Sequence, residues 1–128
     1  MRRQGQVIGS IGLAVILLAA CSPKISEISR VRDPSGALDA VVALRETDAT
    51  VATPSEVYVR PTGASAKGDP IFRADKVEGL KVDWLAPDAL RISAQSARSF
   101  VELAAYAASV NGRPRNIRIV YEIAVRPE

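Results

Sequence analysis

Apolar and polar residues alternate with a period of two through most of the chain, and this feature constrains the fold more than any other. The apolar positions form five runs. These are Leu38, Ala40, Val42 and Leu44; Val57 and Val59; Leu80, Val82 and Trp84; Leu90 and Ile92; and Ile117, Ile119, Tyr121, Ile123 and Val125. Successive side chains of a strand point to opposite faces. The pattern therefore predicts strands that each bury one face.

Turn signals separate these runs. The sequence DPSG at residues 33–36 is typical of a tight turn, because Pro34 presets φ and Gly36 accepts a positive φ. Residues 46–54 and 61–70 are rich in Thr, Ala, Gly, Pro and Ser, which predicts exposed loops. The sequence APD at residues 86–88 divides KVDWLAPDALRIS into a hairpin. We expect Trp84 of this hairpin to anchor the core, since one large ring supplies much of a small domain's buried area.

One segment changes period. Residues 96–110 are rich in Ala and carry an apolar stripe at helical spacing, formed by Phe100, Leu103, Ala104, Ala107 and Val110. Asn111 and Gly112 follow as a natural helix stop. This segment is predicted to be a helix, with a strand and a loop as the alternative.

Together these elements predict a mainly β or α+β fold, a small antiparallel sheet of five or six strands with at most one helix. The first strand is expected near residues 28–32, after a polar spacer at residues 22–29. A chain of 128 residues, 48% hydrophobic and 24% charged, suits one domain, which we place at residues 31–128. The single cysteine permits no disulfide within the chain, so the core alone must hold the fold.

The first twenty residues have the organisation of a secretory signal peptide. Arg2 and Arg3 precede a largely apolar run at residues 7–18. That run is too short to span a hydrocarbon core, which needs about 20 residues, and it has the length of a signal-peptide h-region. The sequence LAAC then follows, ending at Cys21. Small residues before the cysteine fit a narrow protease site, and the thiol is the one group there that accepts a thioether lipid.

This stretch resembles the lipobox of bacterial lipoproteins. The resemblance implies a signal peptide at residues 1–20, cleavage before Cys21, diacylglycerol on its thiol, acylation of the freed amine and a lipidated spacer at residues 21–30. Two or three acyl chains anchor a protein durably, whereas one does so only marginally. The implied location is the bacterial cell envelope, facing the periplasm, and Ser22 after the cysteine favours the outer membrane over the inner.

The domain itself also resembles a known group. SGALDAVVALRE, a polar loop, a short strand and the hairpin VDWLAPDALRIS occur in this order within residues 31–93. This order resembles a family of small, functionally uncharacterised bacterial envelope proteins whose domain starts at an SPDG-type turn, where this chain has DPSG. The resemblance implies a β-rich fold and no activity.

Composition limits the ligands. Lys and Arg number 17 and Asp and Glu 14, a net charge of +3. Two of the 17 are Arg2 and Arg3, so the domain carries a net charge of about +1, which gives nucleic acid little electrostatic support. The absence of histidine removes the commonest general base and metal ligand. No glycine spacing matches a phosphate-binding loop. We therefore expect no metal, no cofactor and no catalytic residue.

Three groups of side chains have residue types found in functional sites. The densest acidic group comprises Asp75, Glu78, Asp83 and Asp88, for which solvated structural roles are favoured over paired-carboxylate catalysis. Ser65 and Lys67 share a loop too flexible to support a catalytic dyad. Tyr58 and Tyr121 are expected in the core or in cross-strand pairs rather than in a contact patch.

The most basic window is RPRNIR at residues 113–118. Arg113, Arg115 and Arg118 are candidates for contact with a partner or with anionic headgroups near the anchor, because guanidinium groups match phosphate geometry. A solvated strand face is the alternative. The sequence thus predicts a lipid-anchored protein that binds an envelope protein or polymer without catalysis. A small hydrolase using Asp residues and an inhibitor or immunity-type module are the alternatives.

Overall fold

The computed structural model describes residues 24–46 and 53–128, and this part of the chain is mainly β. Its strands are β1 Lys24–Arg32, β2 Leu38–Glu46, β3 Ser55–Pro61, β4 Phe72–Glu78, β5 Lys81–Ala86, β6 Ala89–Glu102, β7 Ala105–Val110 and β8 Arg113–Val125. Within these residues no helix could cross a membrane. The predicted β class is confirmed, whereas the predicted five or six strands are too few, because eight strands form one sheet.

The sheet folds over itself because β6 changes neighbours along its length. Residues 89–93 of β6 pair with β5 on one edge, residues 89–96 pair with β8 on the other, and residues 96–102 pair with β4. The β6–β8 pair is parallel, which departs from the antiparallel arrangement that we expected. The β4 register breaks between Asp75 and Glu78, and Gly79 follows with a φ of 66°. Such irregularities let a strand bend from one layer to the other.

The inward faces of the two layers form one core. Its buried members come from seven strands and include Leu38, Val57, Phe72, Leu90, Ile92 and Ile117. The Phe72 and Tyr121 ring centroids lie 5.8 Å apart, and the Tyr121 hydroxyl donates to the Leu103 carbonyl oxygen at 2.8 Å. Burial, together with the negative charge of Glu102, raises the pKa of Tyr121.

Trp84 lies at the edge of this core and not at its centre. Its ring is half-buried against the core, and Nε1–H donates to the carbonyl oxygen of Val31 at 2.8 Å. This bond joins β5 to β1, two strands that do not pair in the sheet. The fully buried aromatic side chains are Tyr58 and Phe72. Trp84 was expected to anchor the core. It packs at the edge of the core instead, where it connects the two layers.

The predicted helix at residues 96–110 is wrong. This segment completes β6 and then forms β7. Phe100, Leu103, Ala104 and Ala107, which the helix would have gathered on its apolar stripe, are all exposed, whereas Ala97 and Ala108 are buried. Helix propensity differs by only tenths of a kcal/mol per residue between most residue types, roughly 0 to 0.7. Pairing with β4 and β8 outweighs that preference.

Strand β1 begins earlier than expected. Its first residue, Lys24, lies within the predicted polar spacer and pairs with Glu46 at the end of β2. The predicted signal peptide, Cys21 and Ser22 lie outside the described residues, as does most of the loop predicted at residues 46–54. Within the described residues, β1 thus includes residues 24–27, upstream of the strand expected near residues 28–32.

Candidate functional site

The turn at residues 33–36 is built around a buried carboxylate. The Oδ1 atom of Asp33 accepts hydrogen bonds from the backbone N–H groups of Gly36 at 2.6 Å and Ala37 at 3.2 Å, and from the Ser35 hydroxyl at 2.9 Å. Gly36 has a φ of 82°, the positive value expected from the sequence. The side chain of Asp33 is fully buried. The predicted turn is confirmed, and its aspartate is an internal acceptor.

Arg115 of β8 reaches this turn from the opposite layer. Its Nη1 atom lies 3.0 Å from Oδ2 of Asp33 and 3.0 Å from the hydroxyl oxygen of Ser35. About a quarter of the Arg115 side chain is exposed. Because both partners sit in one tight turn, the guanidinium plane is held in a fixed direction.

An open cleft of about 440 Å³ lies beside this ion pair, at the tip of the β7–β8 hairpin. It is lined by Val110, Asn111, Arg113, Pro114 and Arg115. Asn111 and Gly112 form the connection, with φ values of 53° and 77°. Positive φ at both central positions is what a type I′ hairpin turn requires. We call this feature the turn-end cleft; it has two guanidinium groups and no carboxylate among its lining residues.

The three arginines of the basic window do not lie on one face of β8. Ile117 and Ile119 point into the core, so Arg113 and Arg115, four and two residues before Ile117, share their side of β8. Arg118 points to the opposite face and is exposed. The structure therefore brings Arg113 and Arg115 to one cleft and places Arg118 outside it.

The turn-end cleft lies far from the beginning of β1. The turn at residues 33–36 follows the last residue of β1, and Thr62 joins the same end by donating from Oγ1 to the Gly36 carbonyl oxygen at 2.7 Å. Lys24 is at the other end of β1, which has 9 residues. At a rise of about 3.3 Å per residue, the strand spans roughly 26 Å. Arg113 and Arg115 thus lie about one strand length from Lys24.

A second group of buried charges lies on the outer face of β1, β2 and β3. Asp39, 1% exposed, has its Oδ2 atom 2.7 Å from Nη1 of Arg30 and 3.0 Å from the backbone nitrogen of Gly63. Burial opposes ionisation, but the hydrogen bonds from Arg30 and Gly63 and the charges of Arg30 and Arg32 outweigh it and lower the pKa of Asp39.

Glu56 is the other buried carboxylate of this face. Its Oε1 atom accepts from the Tyr58 hydroxyl at 2.7 Å and from Nε of Arg45 at 3.1 Å. Nε of Arg73 lies 3.6 Å from Oε2, close enough for charge attraction but without a hydrogen bond. Burial and the bond to Glu56 raise the pKa of Tyr58. These contacts explain how a carboxylate with no exposed surface is retained.

The loop at residues 61–70 covers these charges. Its Ala66 packs on a small cluster of Val41, Ala43 and Tyr58. The carbonyl oxygen of Ala64 accepts from Nη2 of Arg30 at 2.8 Å. The loop is largely exposed, as predicted, but it seals the outer face of the sheet beneath it. The burial of Tyr58 agrees with the expectation, whereas the network was not predicted, because Glu56 occupies a position of the alternation that normally faces water.

The acidic candidates are dispersed among cross-strand pairs and turns. Asp75 binds Arg98 opposite it, at 2.8 and 2.5 Å, and this pairing lowers the pKa of Asp75. Asp83 binds Arg91 opposite it on β6, at 3.0 to 3.2 Å. The remaining two, Glu78 at the end of β4 and Asp88 in the β5–β6 turn, are exposed.

The other candidate residues are also separated. Within residues 24–46 and 53–128, no cluster of three or more Asp or Glu residues is suited to hold a metal ion. Ser65 and Lys67 lie in the covering loop, where the Ser65 carbonyl oxygen accepts from Nε of Arg60. Tyr58 and Tyr121 belong to different clusters on opposite faces of the sheet, so they do not share a contact patch.

Comparisons with protein families, with curated proteins and with solved structures found no match for this chain. The resemblances to lipoproteins and to the uncharacterised envelope family therefore stay predictions.

Proposed function

We propose that this chain is a lipid-anchored lipoprotein of the bacterial cell envelope whose β domain binds an envelope component through its turn end. The proposal includes no catalytic step. Cys21 carries the lipid, and the domain faces the periplasm, with the outer membrane favoured over the inner. The feature that supports a binding role is the turn-end cleft, which presents Arg113 and Arg115 without a lining carboxylate.

The short connection between Cys21 and β1 supports an orientation for the domain. Only residues 22 and 23 separate the cysteine from Lys24. Two residues of extended chain reach about 7 Å, so the beginning of β1 stays close to the membrane surface. The turn-end cleft lies roughly 26 Å away along β1. An anchored domain would therefore direct the cleft away from its own membrane.

The anchor is tested by replacing Cys21 with Ala. The variant has no thiol to receive diacylglycerol, so we expect an unprocessed precursor that incorporates no labelled palmitate. Ser22→Ala is the matched control, because it changes the adjacent residue and leaves the thiol in place. The measurement is radiolabel in the immunoprecipitated protein, together with its gel mobility. Labelled fatty acid in Cys21→Ala would contradict the proposal.

The orientation is tested with a fluorophore attached through unnatural-amino-acid chemistry at Lys24 or, separately, at Ser109, so that Cys21 stays available for lipid. Both side chains are exposed, at opposite ends of the domain. With the protein in vesicles that contain a headgroup-labelled quencher, we expect at least about fivefold stronger quenching at position 24, since contact quenching needs near approach and the ends are roughly 26 Å apart. Equal quenching at both positions would contradict the proposed orientation but not the proposed lipid anchor.

A further inference from the structure

We propose that the turn-end cleft binds a phosphate monoester. This inference deepens the proposed binding function and rests on it for the statement that the ligand is an envelope component. Recognition of the phosphate itself is independent of the lipid anchor and is measured separately below.

Arg115 provides the first half of the site. Its Nη1 atom is held by Asp33 and Ser35, and neither Nε nor Nη2 has a hydrogen-bond partner within the described part of the chain. Those two nitrogens form the side-on edge of the guanidinium, which pairs with two oxygens of an oxyanion. The turn at residues 33–36 thus orients a donor pair that the domain itself leaves unused.

Arg113 provides the second half. It lines the same cleft, its side chain is exposed, and it makes no ion pair among the residues that the structure describes. It directly follows the Asn111–Gly112 turn, whose backbone has the conformation of a tight hairpin connection. Arg113 therefore adds a positive charge that no carboxylate of the cleft neutralises.

The chemistry of the two donors favours phosphate over carboxylate. One carboxylate has two oxygens, which a single guanidinium edge occupies. A phosphate monoester carries a charge of about −1.5 to −2 at neutral pH and three acceptor oxygens, so it accepts from both arginines at once. The domain as a whole is near neutral, so the cleft is a local site and not part of a broad basic surface.

The experiment titrates the full chain in maltoside micelles with glycerol 3-phosphate and follows the arginine Nε–H signals by NMR. At constant ionic strength we expect saturable shifts of Arg113 and Arg115 in the millimolar range, with acetate at least about fivefold weaker. Loss of one charge-assisted hydrogen bond corresponds to about tenfold in affinity. Arg113→Gln should show that loss, whereas Arg118→Gln, the same change on the other face of β8, should change the affinity less than about twofold.

Three outcomes would overturn the inference: no saturable binding, an equal effect of Arg113→Gln and Arg118→Gln, or acetate binding as tightly as glycerol 3-phosphate. Phosphatidate added to the micelle tests the source of the monoester. A response to soluble glycerol 3-phosphate alone supports a ligand away from the anchoring surface. An equal response to phosphatidate supports phosphate recognition and assigns a lipid as the source. A chain that fails to incorporate palmitate but binds glycerol 3-phosphate would reject the anchor and keep this site.

Discussion

Replacing Glu56 with Ala is expected to lower the free energy of unfolding by about 3–5 kcal/mol, the cost typical of removing one partner of a buried ion pair. The Glu56 side chain is fully buried, and it accepts hydrogen bonds from Arg45 and Tyr58. Without the carboxylate, the Tyr58 hydroxyl is left with Arg45, itself a donor, and the guanidinium groups of Arg45 and Arg73 lose their buried counter-charge. Denaturant unfolding, followed by the fluorescence of Trp84, the only tryptophan, measures the change.

Two variants make this prediction specific. Glu122→Ala removes a carboxylate that is 58% exposed and 3.6 Å from Arg91, and it should change stability by no more than about 0.5 kcal/mol. Glu56→Gln keeps the shape and one acceptor oxygen, so its cost should fall between the two. If Glu56→Ala and Glu122→Ala cost the same, the buried network contributes nothing beyond a surface ion pair.

The burial of Glu56 could not be predicted from the sequence pattern. The alternation around Val57 and Val59 correctly predicts which side chains enter the core. It also assigns Glu56 and Tyr58 to the other face, which is correct, but it gives no reason for a carboxylate at position 56 to be buried there. The loop at residues 61–70 packs on that face, where Ala66 contacts the cluster that contains Tyr58 and the Ala64 carbonyl oxygen accepts from Arg30. Contacts of this kind lie 34 residues apart in the chain and leave no periodic signal.

The segment at residues 96–112 shows a different failure. Its Ala-rich stripe has helical spacing by chance, and the structure shows that the apolar members of the stripe are mostly exposed. The stronger local signal was Asn111–Gly112, interpreted as a helix stop. Asn-Gly between two strand-like runs is the most specific short signal for a two-residue hairpin. Interpreted as a hairpin turn, Asn111–Gly112 predicts that β7 and β8 pair and that Arg113 lies at the tip of the hairpin.

Two arginines of the basic window line the turn-end cleft. The sequence identified Arg113, Arg115 and Arg118 as the most basic window, and strand parity could have separated Arg118 from the other two. The pairing of Arg115 with Asp33 spans 82 residues, and it follows from the folding of one layer over the other. The sequence identifies Arg113 and Arg115 as basic residues of one window, whereas the orientation of Arg115 depends on this long-range contact.

Replacing Asp33 with Ala should therefore affect both the stability of the fold and the geometry of the cleft. The substitution removes the acceptor of the Gly36 and Ala37 N–H groups and the counter-charge of Arg115. We expect a loss of about 2–4 kcal/mol, since a buried, charge-assisted acceptor is removed from several donors at once. Asp88→Ala, in the exposed turn between β5 and β6, is the matched control and should cost no more than about 0.5 kcal/mol.

The coupling between the two layers is measured by a double-mutant cycle of Asp33→Ala and Arg115→Ala, using denaturant unfolding of all four proteins. If Asp33 stabilises the fold partly through Arg115, Arg115→Ala should cost about 1–3 kcal/mol less in the Asp33→Ala background than in the wild-type protein. Asp33→Asn separates the two roles, because one amide oxygen still accepts from the turn while the charge facing Arg115 is gone. Strictly additive costs would mean that Asp33 holds its own turn alone, and that Arg115 is not fixed by it.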